Sequence, residues 1–127
     1  MASTMEIGKK LVALCNAGKN MDAVNQLYAD NIVSVETHDM PGMPARMEGK
    51  AKIIEKTKWW FDNHEIHSST AEGPWPHGDR FIVLFAIDVT AKAGPMAGKR
   101  MAMKEGALFT VKDGKIVKEE FFYDMGG

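Results

Sequence analysis

The sequence is poor in several features that define whole classes of protein. Cys15 is its one cysteine, so no intrachain disulfide can form, and a reducing cytoplasm is the simplest setting. No apolar run approaches the ~20 residues that a membrane helix needs. The start, MASTMEIGKK, lacks the apolar centre of a signal peptide. The composition therefore predicts a cytoplasmic chain that has no membrane as a partner.

An excess of charge of one sign is also missing. The 16 basic and 17 acidic residues give a formal net charge of −1, and no block of like charge stands out, which argues against nucleic acid as a partner. Four histidines, His38, His64, His67 and His77, share no compact ligand spacing. There is also no phosphate-binding glycine loop and no nucleophile elbow. We therefore expect neither a metal nor another cofactor.

What the sequence does contain is a clear order of elements: helix, helix, strand, helix and then four strands. Apolar spacing and breakers predict helices over 3–19, 20–31 and 50–64, a strand over 31–39, a loop over 40–49, further strands over 65–73, 80–90, 99–111 and 115–124, and a turn region over 73–79. Helices followed by a run of strands predict one α+β domain over residues 1–127. Its three N-terminal helices pack on one face of a curved, mostly antiparallel sheet, with room for a pocket between them.

The segment KRMAMKEGALFTV, residues 99–111, supplies the first candidate site residue. Alternate side chains on a strand share a face, and this spacing places Glu105 on an apolar face with Met101, Met103, Ala107, Phe109 and Val111. A carboxylate on an apolar face loses hydration, so its pKa rises and it can act as an acid, a base or a neutral donor. The alternatives are that Glu105 pairs with a lysine or lies at the sheet edge.

The turn KDG, residues 112–114, decides which second acid lies near Glu105. A three-residue turn sets Glu105 opposite Phe121 and makes Glu119 its diagonal neighbour on the inner face. A two-residue turn shifts the register and puts Glu120 in that place. We favour the three-residue turn, which also turns Tyr123 inward.

Other residues are candidates for the wall of the pocket. Glu36 and His38 share the polar end of the strand 31–39, which suits a pocket mouth, and a solvated strand end is the competing interpretation for both. In a pocket, His38 is suited to proton transfer near neutral pH. Trp60 and Thr57 lie on the inward stripe of the third helix, where core packing is the competing interpretation. The residues that we expect to line a ligand are Leu11, His38, Thr57, Trp60, Leu84, Met103 and Phe121.

The chain resembles the nuclear transport factor 2-like superfamily and, within it, the SnoaL-like proteins. The segments that carry the resemblance are ALCNAGKNMDAVNQLYADNIVSVE, MEGKAKIIEKTKWWF, GDRFIVLFAIDVT and ALFTVKDGKIVKEEFF. The resemblance implies a cystatin-like, cone-shaped roll, a curved sheet around a deep pocket and a homodimer through the outer sheet face. Members include ketosteroid isomerase, polyketide cyclases, a dehydratase, an epoxide hydrolase and non-enzymatic binders, so the fold does not fix the function.

Carried over position by position, the resemblance places the base of ketosteroid isomerase at Glu36. The oxyanion tyrosine of that enzyme falls at Leu11, and its partner acid falls at Gly106 or Ala107. The polyketide-cyclase acid also falls near Ala107. Both oxyanion donors are therefore missing from their usual places, and Glu105, two residues away on the same face, is a candidate for a relocated acid.

Two classes of function follow from these residues. The first is an enzyme that moves a proton on a small, apolar, carbonyl-bearing molecule, as an isomerase, cyclase or dehydratase. Glu36 or Glu105 would be its base, and Tyr123 or a protonated Glu119 would stabilise the oxyanion. The second is a small-ligand-binding protein without chemistry, which the missing oxyanion donors favour. A third and weaker alternative is an interaction module that uses the outer sheet face.

Overall fold

Three helices and six strands make up the fold in the part of the chain that this computed structural model describes, residues 2–40 and 42–124. Residues 1, 41 and 125–127 of the predicted domain lie outside the described residues. The elements are α1 (Thr4–Asn16), α2 (Asn20–Leu27), β1 (Tyr28–Val35), β2 (Arg46–Glu48), α3 (Lys50–Asp62), β3 (His64–His77), β4 (Arg80–Ala91), β5 (Arg100–Lys112) and β6 (Lys115–Phe122). None of the helices among these residues is long and apolar enough to cross a membrane.

The sheet has the order β2-β1-β6-β5-β4-β3, and every neighbouring pair is antiparallel except β1 and β6. One face of this sheet carries the core shared with the helices. The predicted α+β architecture, with three helices on a mostly antiparallel sheet, is therefore confirmed.

Helix α1 begins where the sequence predicts. The N–H of Glu6 donates to Ser3 Oγ at 3.1 Å, which satisfies one of the free donors at the helix start. The helix buries one apolar stripe against the sheet, formed by Ile7, Leu11 and Cys15. Helix α1 also lies very close to β3, since a Cβ at Gly8 would meet Pro74 Cγ at 2.7 Å. Glycine at this position is what lets the helix approach the strand.

Three predicted boundaries are wrong. The region 73–79 is mostly strand, because β3 continues to His77. This is possible because β3 is an edge strand, where prolines that lack an N–H interrupt no ladder. The predicted loop 40–49 contains the short strand β2, paired with β1. The second helix ends at Leu27, and β1 begins at Tyr28, three residues earlier than predicted.

The predicted inner face of β5 is confirmed. Ala107, Phe109 and Val111 are buried, and the Phe109 ring stacks on Phe81 of β4 with centroids 5.0 Å apart. Towards the other end of the strand, the same face becomes half-buried at Glu105 and Met103. Along β5, the inner face is therefore closed at one end and accessible at the other.

The register of the last hairpin differs from the prediction. Lys112 pairs with Lys115, so the loop has two residues, Asp113 and Gly114, with φ of 51° and 77°, as a hairpin turn with two left-handed residues requires. A bulge between Thr110 and Val111 then shifts the pairing by one residue. Because the two offsets combine, Glu119 still points inward, as predicted.

The neighbours across this hairpin are not the predicted ones. Phe109 lies opposite Glu119, and Ala107 lies opposite Phe121. Glu105 therefore does not oppose Phe121, and Glu119 is further from Glu105 along the strand than a diagonal neighbour would be. Glu120, which the two-residue turn was expected to bring inward, pairs with Leu108 on the outer face.

Candidate functional site

Lys56 of α3 joins polar groups of the sheet inside the fold. Its Nζ lies 2.6 Å from Glu36 Oε1 and donates to Ser34 Oγ at 3.1 Å. The ammonium also lies 5.2 Å from the centroid of the Phe121 ring, within range of a cation–π interaction. The Lys56 and Glu36 side chains are 19% and 23% exposed, so water screens their attraction less than that of a surface pair.

Glu36 lies just beyond the end of β1, and both of its carboxylate oxygens are engaged. Oε1 pairs with Lys56, and Oε2 accepts a hydrogen bond from the Tyr123 hydroxyl at 2.9 Å. The Tyr123 ring packs edge-on against His38, with centroids 6.2 Å apart. Burial, with a contribution from the Glu36 charge, raises the pKa of Tyr123. Glu36 is thus fixed between a cation and a phenol.

Glu119 lies deeper, with only 3% of the residue exposed. Its Oε1 accepts the Ser34 hydroxyl at 2.8 Å, and its Oε2 accepts the hydroxyl of Tyr28. Since Ser34 has one hydroxyl proton and gives it to Glu119, its oxygen is left to accept from Lys56. Burial raises the pKa of Glu119, while the Tyr28 hydrogen bond and the Lys56 charge oppose that shift. Both oxygens of Glu119 are therefore committed to protein hydroxyls.

Glu105 is the exception among these acids. It is half-buried on the inner face of β5 opposite Phe85, and no hydrogen bond or ion pair engages its carboxylate within residues 2–40 and 42–124. Burial, followed by repulsion from Glu36, raises the pKa of Glu105 to about 7, although the charge of Lys56 opposes the shift. Both protonation states are then populated at neutral pH, as a group that must accept and return a proton requires.

We name Lys56, Glu36, Glu105 and Glu119 the Lys56 cluster. The three carboxylates influence one another electrostatically, and the one ammonium acts on Glu105 and Glu119 as well as on its ion-pair partner Glu36. One cation therefore offsets three acids, which is the condition under which one acid stays near the midpoint of its titration.

A cavity of about 430 Å³ lies between α3 and the chain that leads into β2. We name it the α3 cavity. Its lining residues are Gly42, Met43, Pro44, Arg46, Met47, Lys52, Glu55, Lys56 and Trp59. Its volume falls within the range of small-molecule sites, about 300–1,000 Å³. Lys56 belongs both to this cavity and to the Lys56 cluster, so it connects the interior acids with a space open to ligands.

Most of the predicted lining residues are neither fully buried nor fully exposed. His38, Thr57, Trp60, Met103 and Phe121 are all half-buried. Trp60 stacks on the His64 ring with centroids 4.5 Å apart. Of these side chains, Phe121 contacts the Lys56 ammonium, and His38 packs on Tyr123, which donates to Glu36.

Leu84 and Leu11 lie elsewhere. Leu84 pairs with Gly106, which puts it on the opposite face of the sheet from Glu105, and it is 46% exposed. The apolar run of β4 has hydrophobic residues on both faces, so spacing alone did not identify the inner one. Leu11 is 2% exposed within the core of α1, where other side chains surround it and leave no surface for a ligand.

Sequence reasoning missed Lys56, Ser34 and Tyr28. Lys56 is one of four lysines of α3, and lysines on a helix usually mark its solvent side. A lysine one position before Thr57 on the inward stripe was the available signal, because long side chains reach inward from the edge of a stripe. Ser34 of β1 lies two residues from Ile32 and two from Glu36, so its inward direction was predictable, but its partners on other elements were not.

Residues 2–40 and 42–124 contain no group of three or more histidine, cysteine, aspartate or glutamate side chains arranged to hold a metal ion. Cys15 is a buried free thiol. Burial, with a contribution from the Glu119 charge, raises the pKa of Cys15 to about 12. This thiol is therefore unreactive at neutral pH.

Comparison with solved structures finds proteins of the same fold. A protein from Mesorhizobium loti, provisionally described as a SnoaL-like polyketide cyclase, is 40% identical, with 96% of this chain and 100% of that chain covered and a TM-score of 0.88. A provisionally described polyketide cyclase from Pseudomonas putida is 18% identical, with 98% and 94% covered and a TM-score of 0.72. A Xanthomonas campestris protein of unknown function with a cystatin-like fold is 15% identical, with 96% and 91% covered and a TM-score of 0.76.

The two more distant structures show the fold alone, and no curated protein matches this chain significantly. The sequence profile of the SnoaL-like domain matches residues 2–123, which is nearly the whole chain. Together with the 40% identity to the Mesorhizobium loti protein, this match makes the assignment: the chain belongs to the SnoaL-like domain family.

Proposed function

We propose that this protein binds a small, mostly apolar carbonyl compound and moves a proton on it, with Glu105 as the acid–base group. The observation that carries the proposal is the state of Glu105, a half-buried carboxylate without a protein partner and with a pKa raised to about 7. A structural acid in such a place is normally paired. An unpaired acid near the midpoint of its titration is typical of catalytic sites.

The chemistry follows from this state. The ionised Glu105 takes a proton from the carbon next to the substrate carbonyl, and the electron pair of the broken C–H bond moves onto the carbonyl oxygen as an enolate. The protonated Glu105 then returns the proton to the same or another carbon. Because a pKa of about 7 suits both halves of this cycle at neutral pH, one residue serves as base and then as acid.

Lys56 is our candidate for the group that stabilises the enolate oxygen. Its ammonium has three N–H donors, of which Glu36 and Ser34 take two. The remaining donor and the positive charge replace the oxyanion donors that the family resemblance placed at Leu11 and at Gly106 or Ala107. A cation that is already held in place, at a site that water only partly reaches, stabilises developing negative charge without first having to move.

The other predicted catalytic residues support this arrangement more indirectly. Both oxygens of Glu36 are engaged, so it is better suited to hold Lys56 and Tyr123 than to abstract a proton. Glu119 faces Tyr28 and Ser34 rather than open space. Tyr123 donates to Glu36, and we propose that it lies at the edge of the substrate site.

The test is deuterium uptake from D2O into ketones, followed by proton NMR. Probes are 2-tetralone and 3-cyclohexen-1-one, which carry acidic protons beside a carbonyl. We expect exchange above the buffer rate with the unmodified protein. Glu105→Gln should lower this rate about 100-fold, the usual contribution of a general base. Glu120→Gln, an acid replaced on the outer face of the same hairpin, is the matched control and should leave the rate unchanged.

A second measurement tests the role of Glu105 without relying on the choice of ketone. Selective ¹³C labelling of glutamate lets NMR follow the Glu105 carboxyl through a pH titration. An ordinary glutamate pKa, together with full activity of Glu105→Gln on any substrate found, would contradict the proposed role of Glu105.

A second candidate is a binding protein without chemistry. It is favoured by the engagement of Glu36 and Glu119 in protein hydrogen bonds, because both positions then serve the fold. In this case Glu105 would hydrogen-bond a ligand in its neutral form. A ligand that co-purifies and stays chemically unchanged on long incubation would favour this candidate over the enzyme.

We also propose that the protein is a cytoplasmic homodimer that uses the outer sheet face. Four large apolar side chains on this side are well exposed: Trp75 at 51%, Ile82 at 44%, Leu84 at 46% and Phe122 at 56%. An apolar patch of this kind is typical of an interface. Light scattering should report a dimer for the unmodified protein and a lower mass for the double variant Leu84→Glu, Phe122→Glu.

A further inference from the structure

Cations outnumber acids in the lining of the α3 cavity, whereas acids outnumber cations in the Lys56 cluster. Three cationic side chains, Arg46, Lys52 and Lys56, and one acidic side chain, Glu55, line it. The remaining wall is apolar, with two methionines, a proline and the Trp59 indole, which is 39% exposed. Methionine side chains adapt to ligands of different shape, and an indole offers a flat face.

The hydrogen-bond inventory of the three cations shows what a ligand must supply. Lys52 makes no hydrogen bond or ion pair in the part of the chain that the structure describes. Arg46 gives two of its five N–H donors to one oxygen of Glu48. Lys56 keeps one donor after Glu36 and Ser34 are served. The cavity wall therefore holds many unused donors and, in Glu55, one acidic acceptor.

Two acids, Glu48 and Glu36, lie next to these cations but outside the cavity lining, and they do not cancel the excess of donors over acceptors. The Arg46 and Glu48 side chains are 59% and 66% exposed, so water screens their ion pair and the guanidinium is able to exchange partners at little cost. Glu36 faces Lys56 from the interior and not from the cavity. A ligand with acceptor oxygens at one end meets complementary groups, whereas an amine would face three cations.

We propose that the α3 cavity binds a small amphipathic acid. Its carboxylate is held at the rim by Lys52 and Arg46, and its apolar body lies against Met43, Met47 and Trp59. This proposal rests on the proposed function in one respect, since Lys56 belongs to both sites. The substrate class becomes an apolar carbonyl compound that also carries a carboxylate, and the carboxylate would orient its carbonyl towards Lys56.

The test compares 2-naphthylacetic acid with 2-naphthylacetamide, which has the same shape without the charge. Calorimetry should show that the acid binds about tenfold more tightly than the amide at low salt. The advantage should shrink at high ionic strength, because added salt screens exposed charges. Equal affinity for the two compounds, or no binding of the acid up to millimolar concentration, would overturn the proposal.

Two lysine variants test where the carboxylate of the ligand binds. Lys52→Gln should weaken binding of the acid about threefold or more and leave the amide unchanged, in line with the loss of one exposed charge contact. Lys58→Gln is the matched control, because Lys58 is an exposed lysine on the same helix outside the cavity. An equal loss in both variants would show a general charge effect and would contradict the site.

NMR locates the ligand directly. Addition of the acid should shift the indole N–H signal of Trp59 and leave that of Trp75, on the outer sheet face, in place. A shift of the Trp75 signal alone would contradict the proposal. The binding measurements need no reaction, and the exchange assay uses ketones that carry no carboxylate. The two proposals therefore fail separately: selective acid binding without proton exchange ends the enzyme hypothesis alone, and exchange without acid selectivity ends the inference about the cavity alone.

Discussion

The inner sheet face around β5 differs sharply between its two ends, although β5 runs through both. At the closed end, Phe81, Val83, Ala107 and Phe109 are each 1% exposed or less, and they pack against the helices as one apolar cluster. Two residues from Ala107 along β5, the accessible end begins with Glu105. One strand thus passes from a close-packed core to a charged site within a single side-chain repeat.

The difference shows how the fold divides its tasks. The closed end stabilises the protein through burial, at about 25 cal/mol per Å² of apolar surface removed from water. At the accessible end, each polar group needs a partner to offset its lost hydration. Tyr28, Ser34 and Lys56 supply such partners to Glu119 and Glu36. Glu105 has none, and this is why we propose it as the acid–base group.

The largest effect on stability is expected at the closed end. Phe109→Ala removes a ring that is 1% exposed and stacked on Phe81. It should lower the free energy of unfolding in urea by about 3–5 kcal/mol, the usual cost of such a cavity. Met96→Ala, at a side chain that is 41% exposed in the loop before β5, is the control and should cost less than about 1 kcal/mol. Similar losses in both variants would contradict the contrast between the two ends.

The next largest effect is expected from Lys56→Met, which leaves three carboxylates without their cation. We expect a loss of about 2–3 kcal/mol at pH 8, at the low end for breaking a shielded ion pair, since Lys56 is 19% exposed. The loss should shrink towards pH 4, because Glu105 and Glu119, whose pKa values are raised by burial, are then protonated. Urea unfolding at both pH values measures this, with the exposed Lys58→Met as control. A loss that is independent of pH would mean that packing and not charge is responsible.

Glu105→Gln should stabilise the protein. The pKa of Glu105 is raised to about 7, above its unfolded value of about 4.3, so the group favours folding below the unfolded value and loses that contribution as pH rises through 7. The variant avoids this loss. We expect a gain of about 1–2 kcal/mol at pH 8 and none at pH 4. Glu120→Gln should show no such trend, and a gain at pH 4 equal to that at pH 8 would refute the raised pKa.

The smallest effect is expected for Tyr123→Phe, which removes the hydrogen bond to Glu36 but keeps the ring against His38. A loss of about 0.5–1.5 kcal/mol in the free energy of unfolding is the usual cost of one such bond. If Tyr123 lies at the edge of the substrate site, the variant should also change KM more than kcat in the exchange assay. A larger loss than that of Lys56→Met would reverse the order of importance within the site.

The sequence predicted the fold well because its signals are local and repeated. The start of α1 and the alternation around Glu105 each depend on near neighbours, and both are found. The errors occurred where context overrides local preference. Prolines at 74 and 76 suggested a turn, but an edge strand accommodates them.

The site was predicted only in part, for a physical reason. Glu105 and Glu119 were identified because an acid on an apolar strand face is visible in the alternation. The partners of Glu119 come from residues 85 and 91 positions away in sequence, and no local pattern reports such contacts. The lining residues of the α3 cavity belong to a segment that reads as loop and to the polar edge of α3, so the cavity had no sequence signal.

The bulge between Thr110 and Val111 has a consequence for how this protein tolerates change. It acts as a spacer of one residue that compensates for a short hairpin loop. Shortening or lengthening the chain by one residue anywhere between the bulge and Glu119 would send that acid to the outside and bring Lys118 or Glu120 into its place. Which side chains of β6 face the interior thus depends on whether the number of residues at the tip of this hairpin changes by an odd or an even count.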